Sequence, residues 1–129
     1  MATILLVDDD TAVRSLLKTV LKSTGFCVID QPSGQDALAY LDSHNCEPNL
    51  MLTDVEMPGI RGPALAKLFL EKCPSAKVIL MSGKGEPEDV EVDRSWPFLR
   101  KPFSIDQIWK LVSSVLTSIA VAVKALECF

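Results

Sequence analysis

Four aspartates stand where the chain leaves apolar runs. Asp8, Asp9 and Asp10 follow Ile4, Leu5, Leu6 and Val7, and Asp54 follows Leu50, Met51, Leu52 and Thr53. Short apolar runs of this kind read as buried strands. Carboxylates at the C-terminal ends of such strands sit where open α/β sheets bind ligands. Crowded there, they repel one another unless a cation joins them. Hard oxygen donors suit Mg²⁺, which is held by one or two carboxylates plus phosphate oxygens. Two later runs add to the set. Val78, Ile79, Leu80 and Met81 end in Ser82 and Gly83, and Phe98 and Leu99 lead into Arg100, Lys101, Pro102 and Phe103. Acids, a hydroxyl and a lysine at successive strand ends are what phosphoryl transfer to a carboxylate needs. The metal offsets charge, the lysine pairs with a phosphoryl oxygen and the hydroxyl donates a hydrogen bond.

The elements that must position these groups alternate between strand and helix. Strands are expected at residues 4–7, 26–29, 50–53, 78–81 and 98–99. After the first acids, Asp10 or Thr11 can cap a helix whose apolar stripe is Val13, Leu16, Leu17, Val20 and Leu21. Gly25 stops it. A helix at 34–43 turns Ala37, Leu38 and Leu41 inward. Pro63 suits the first turn of a third helix, which buries Leu65, Leu68 and Phe69. Ser104 caps a long last helix. Residues 84–96 are rich in acid, Gly and Pro, so a fourth helix there should be short or irregular. The alternation implies a parallel sheet covered on both faces.

The chain has 129 residues, 48% of them hydrophobic, and a net charge of −4. That size suits one domain, and the charge argues against direct nucleic-acid binding, which needs basic stripes. No run approaches the ~20 apolar residues of a membrane span, and Met1, Ala2, Thr3 and Ile4 lack the charged start of a signal peptide. Cys27, Cys46, Cys73 and Cys128 show no metal-type spacing and read as free thiols in a reducing cytoplasm.

The ordered set Leu5-Leu-Val-Asp-Asp9, Thr53-Asp54, Met57-Pro-Gly59 with Gly62, Met81-Ser-Gly83 and Lys101-Pro-Phe103 resembles the receiver domain of bacterial two-component response regulators, a chemotaxis-regulator-like module. The resemblance covers residue 3 to about residue 116. It implies a flavodoxin-like doubly wound (βα)5 sandwich with strand order 2-1-3-4-5. It implies that Asp54 is the phosphoacceptor. Asp9, Asp54 and the backbone carbonyl of Glu56 ligate Mg²⁺ directly, and Asp8 acts through a metal-bound water. Ser82 and Lys101 hold the phosphoryl group, the Lys101–Pro102 bond is cis, and Phe98 takes the aromatic switch position. A phenylalanine there has no hydroxyl, so any switch is steric. Glu56 and Lys84 flank the path of the hydrolysing water and are candidates to tune the lifetime of the phosphorylated state. The implied partner is a histidine kinase or phosphotransfer protein. Beyond self-phosphorylation and self-dephosphorylation no enzyme activity is expected. Arg94-Ser95-Trp96-Pro97, where the family usually has a Gly-Ala turn, looks like receivers joined to sensor histidine kinases.

Each residue also has a plainer reading. The acids could be helix caps, Ser82 a turn residue and Lys101 a solvated lysine; their joint placement favours the site. His44 has no partner spacing and reads as exposed. Asp8-x-Asp10-Thr11 resembles the nucleophile motif of haloacid-dehalogenase-type phosphatases, but that leaves Asp54 without a role. Turnover of a generic phosphate ester separates the two. The domain reading is 1–116 for the receiver and 117–129 for a helical extension. In the last helix Ile105, Ile108, Val112, Val115, Ile119, Ala122 and Leu126 recur at steps of three and four. That strip is a candidate for homodimerisation or for docking a partner helix.

Overall fold

The computed structural model describes residues 2–84 and 92–123, with side chains described through residue 117. Of the stretch 84–96, where a short or irregular fourth helix is expected, residues 85–91 lie outside what it describes and residues 92–96 form a turn rather than a helix; the side chains of the apolar strip from Ile119 onward also lie outside it. Five strands, β1 (Thr3–Val7), β2 (Cys27–Gln31), β3 (Leu50–Asp54), β4 (Lys77–Ser82) and β5 (Phe98–Arg100), form one sheet in the order β2-β1-β3-β4-β5. Every neighbouring pair is parallel. The helices among the described residues are α1 (Thr11–Ser23), α2 (Gly34–His44), α3 (Gly62–Lys72) and α4 (Ile105–Val123).

Successive residues of a strand point to opposite faces, so each strand feeds two cores. Ile4, Leu6, Leu50, Leu52, Ile79 and Met81 pack with Leu17, Val20 and Leu21 of α1 and Ile108, Val112 and Leu116 of α4. Leu5, Val7, Met51, Val78 and Leu80 pack with Ala37 and Leu41 of α2 and Leu65, Ala66 and Phe69 of α3. This two-sided burial is why β1 and β3 read as continuous apolar runs. Each buried Leu or Ile contributes roughly 1.5–3 kcal/mol relative to exposure.

Local signals set the helix ends. The Asp10 carboxylate accepts from the amides of Ala12 and Val13 at 2.9 and 3.1 Å. Gly25, at φ 101°, follows the end of α1 in the left-handed conformation that glycine tolerates. Ser33 caps α2 through the Asp36 amide at 3.1 Å, and Pro63 lies in the first turn of α3. Ser104 and Gln107 form a reciprocal capping box at the start of α4, with bonds of 2.7 and 3.0 Å.

Several expectations need correction. Leu16, placed on the buried stripe of α1, is 62% exposed, and Leu68, placed on that of α3, is 39% exposed. A helix lying on a sheet buries a narrow stripe, which Leu17, Val20 and Leu21 fill in α1 and Leu65, Ala66 and Phe69 in α3. Ile105 of the last-helix seam is 61% exposed, whereas Ile108 and Val112 are buried. None of the described cysteines is a free thiol: Cys27 is disulfide-bonded, and Cys46, just after α2, is disulfide-bonded to Cys73 at the end of α3, with Cα atoms 5.5 Å apart. The two are 27 residues apart in sequence, and only the packing of α2 beside α3 brings them together.

Candidate functional site

The C-terminal ends of β1, β3, β4 and β5 converge on one edge of the sheet. Asp8 directly follows β1 and is fully buried, Asp54 ends β3 at 7% exposure, and Asp9 is exposed. Carboxylate oxygens of Asp8, Asp9 and Asp54 all lie within 4.8 Å of one another. Three anionic oxygens facing one another, with one side open through Asp9, fit the donor set of a hard divalent cation such as Mg²⁺.

Lys101 is the protein's own counter-charge here. Its Nζ lies 3.1 Å from Asp8 Oδ2 and 3.6 Å from Asp54 Oδ2. Its amide donates to the Ser82 carbonyl at 2.8 Å, which fixes its backbone beside β4. The Lys101–Pro102 bond is cis, as the resemblance implies. Burial is the largest influence on the Asp54 carboxyl and pushes its pKa above the ordinary aspartate value. Lys101 opposes the rise, Asp8 and Asp9 add to it, and the Glu56 amide, hydrogen-bonded to the carboxylate, opposes it.

Ser82 ends β4 and is buried. Its Oγ accepts from the Lys84 amide at 3.0 Å, a bond that does not use its own O–H as donor. The Lys84 side chain is exposed. Phe98 opens β5, partly buried against the α2/α3 core. The Glu56 carboxylate pairs with Arg61 at 3.2 and 3.5 Å. The loop between β3 and α3 turns sharply enough to allow this, with Gly59 at φ 77°. Gly62 packs so tightly that a Cβ there would overlap the Asp54 carbonyl, which holds the start of α3 against the site. His44 is exposed, stacked on Tyr40 with ring centroids 4.1 Å apart, and far from the acids in the fold.

Two groups that the sequence pattern does not single out support the acidic loop. Arg14 donates to the Asp8 carbonyl at 2.7 Å and to Asp30 Oδ2 at 3.2 Å. Lys18 holds the other Asp30 oxygen at 2.8 Å. A basic residue one helical turn past an acid triplet was the available signal. An apolar groove of about 480 Å³ opens beside the site, lined by Val13, Leu16, Leu17, Gly83, Lys101, Pro102 and Phe103. Lys101 therefore belongs both to the acid cluster and to this groove.

The response regulator receiver domain model matches residues 4–113. A sensor kinase, CckA of Brucella abortus (strain 2308), is 35% identical over 118 residues, covering 89% of this chain and 12% of the relative. The transcriptional regulator NtrC of Salmonella typhimurium is 31% identical over 114 residues, covering 86% of this chain and 24% of the relative. The chain thus spans between about a tenth and a quarter of the length of these curated relatives. Among solved structures, the response regulator TrrA of Thermotoga maritima, in complex with Mg²⁺ and BeF, superposes at TM-score 0.80 with 31% identity, covering 89% of this chain and 99% of that one. The receiver domain of hybrid histidine kinase CckA gives TM-score 0.78 with 31% identity, covering 89% and 99%. A complex of histidine kinase ThkA with TrrA gives TM-score 0.78 with 32% identity, covering 90% and 99%. With that match over most of its length and acids, hydroxyl and lysine meeting at the strand ends, the chain belongs to the response regulator receiver domain family of two-component signalling.

Proposed function

We propose that Asp54 is the phosphoacceptor and that a histidine kinase or phosphotransfer protein is its donor. The carrying observation is the meeting of Asp54 with Asp8, Asp9 and Lys101 at one edge of the sheet. An Asp54 carboxylate oxygen attacks phosphorus, the bond to the donor's leaving group breaks, and an acyl phosphate forms. Lys101 pairs with a phosphoryl oxygen and the Ser82 O–H donates to another. Asp9, Asp54 and the Glu56 carbonyl are the candidate direct ligands of Mg²⁺, with Asp8 beside them; when bound, the ion offsets charge on the phosphoryl oxygens. Phe98, lacking a hydroxyl, acts as a switch by packing alone. The protein is a stoichiometric acceptor, not a turnover enzyme.

Intact mass after incubation with acetyl phosphate and Mg²⁺ tests the assignment. Wild type is expected to gain one phosphoryl unit and Asp54→Asn none; equal labelling of both would refute it. Glu56 and Lys84 are the rate-tuning candidates. Exchanging either for Ala is expected to change dephosphorylation without abolishing labelling.

The finer partner readings rest on the surface. The apolar groove beside Lys101 is where the donor docks, because it places a partner next to the acids. The last helix runs unbroken past residue 113, where the family match ends, to Val123, which supports self-association or docking of a partner helix. Net charge of −4 supports signalling without direct nucleic-acid contact. No helix among the described residues is long and apolar enough to cross a membrane, and the reading carries a cytoplasmic location with it. The Arg94–Pro97 turn and the likeness to a sensor kinase support attachment to such a kinase.

A further inference from the structure

A second chemical site lies at the opposite end of the sheet, at the start of β3 rather than its end. Cys46 and Cys73 sit with Cα atoms 5.5 Å apart, inside the 4.4–6.8 Å window a disulfide spans without backbone movement. Cys46 is exposed, so a small oxidant or reductant can reach it, whereas Cys73 is 3% exposed and packs in the α2/α3 core. The pairing suits both redox states. Cys46 Sγ also lies 3.2 Å from the Lys72 carbonyl, which a thiol S–H can use as an acceptor once the bond is opened. Lys72 independently ties α3 to α2 through Asp42 at 2.7 Å, so the two sulfurs stay close when reduced. The cross-link closes a loop that contains all of β3, the Pro58–Gly59 turn and α3, and therefore the strand that carries Asp54.

We infer that Cys46 and Cys73 form a reversible redox site that takes a low-molecular-weight disulfide, such as glutathione disulfide, as its oxidant. Two S–H bonds break and one S–S bond forms. Two electrons pass to the oxidant, whose S–S bond is cleaved, and the two protons go with them to give two small thiols. Disulfides in a reducing compartment are usually transient and redox-sensing, and closing a long loop stabilises chiefly by restricting the unfolded chain. Oxidation here is thus an input to the stability of the β3–α3 unit that does not touch the phosphoryl chemistry.

The full chain is equilibrated with glutathione and glutathione disulfide at graded ratios, alkylated and mapped by peptide mass. A Cys46–Cys73 linked peptide is expected to rise with the proportion of glutathione disulfide and to vanish on reduction. Both cysteines found alkylated at every ratio would overturn the inference, as would a linked peptide that persists unchanged through full reduction. Melting supplies the second readout. Reduction should lower the wild-type Tm by roughly 10–15 °C. Cys46→Ser, an exposed substitution, should melt below the oxidised wild type and respond less to reductant. The same reductant response in both proteins would show that the stabilisation comes from another bond, such as that of Cys27, and would remove the proposed role of this pair.

Discussion

Lys101 shares one ammonium between Asp8 and Asp54, 3.1 Å from the first and 3.6 Å from the second. The shorter contact goes to the fully buried partner. This follows from electrostatics, since a buried carboxylate has lost the most solvation and has most to gain from a cation. The lysine reaches both because its amide is fixed to the Ser82 carbonyl across the β4–β5 pair.

Removing that charge should destabilise the fold. Lys101→Met leaves Asp8 without its ammonium partner and leaves the cluster repelling itself. The expected loss is about 1–3 kcal/mol, the range for a buried group that loses its partner. The loss should be largest at neutral pH and shrink as acid protonates Asp54, whose folded-state pKa is raised. Thermal melts of both proteins across pH check this; a pH-independent difference would mean lost side-chain packing rather than charge.

Asp54→Asn should do the reverse. The folded-state pKa of Asp54 is raised, chiefly by burial, so the native state holds this proton more tightly than the unfolded chain. The stabilisation this gives is present below the unfolded value and is lost as pH rises through the folded one. Ionised Asp54 therefore costs stability at neutral pH, and the isosteric amide avoids that cost. Without divalent metal, Asp54→Asn is expected to melt above wild type at pH 7 and to lose its advantage below about pH 4. A variant melting at or below wild type at pH 7 would contradict the assignment of strain to this carboxylate.

The strands and the strand-end chemistry are legible in the sequence because both follow from local pattern. Apolar runs such as Leu50–Leu52 ending in Asp54 specify a two-sided strand and its terminal side chain together. What is not legible depends on partners distant in sequence or on exact helix rotation. Leu16 and Leu17 are adjacent and equally apolar, yet about 100° of rotation separates them on a helix, and only the seat of α1 on the sheet decides which is buried. Glu56 finds Arg61 because the loop at Gly59 doubles back. Cys46 finds Cys73 because α2 and α3 lie side by side. None of these follows from spacing.

Arg14 and Asp30 should matter to metal binding without being ligands. Arg14 fixes the Asp8 carbonyl at 2.7 Å, and Asp30 fixes Arg14. Arg14→Ala is expected to weaken Mg²⁺ binding about tenfold, the lower range for residues that orient ligands. Titration calorimetry reads this directly, and an unchanged Kd would show that the acidic loop holds itself. Asp30 also carries a pH signature. Burial tends to raise its pKa, but the bonds and charges of Lys18 and Arg14 outweigh that and leave it lowered. Its contribution to stability is thus present above the ordinary aspartate value and lost as pH falls through the folded one. Asp30→Asn should therefore narrow its Tm gap to wild type on acidification.

Leu16 separates docking from chemistry. It is 62% exposed and lines the apolar groove that also contains Lys101, yet it makes no contribution to the buried core. Leu16→Glu should leave folding intact, because surface substitutions away from special features usually shift stability within about 0.5 kcal/mol. Labelling by acetyl phosphate, which needs no protein docking, should proceed at the wild-type rate. Transfer from a phosphorylated histidine kinase or phosphotransfer domain should slow by tenfold or more if the groove seats the donor, since a buried apolar anchor replaced by a charge costs more than about 1.4 kcal/mol. Equal slowing with both donors would place the defect in the site itself. Wild-type rates with both would move the docking surface elsewhere on the domain.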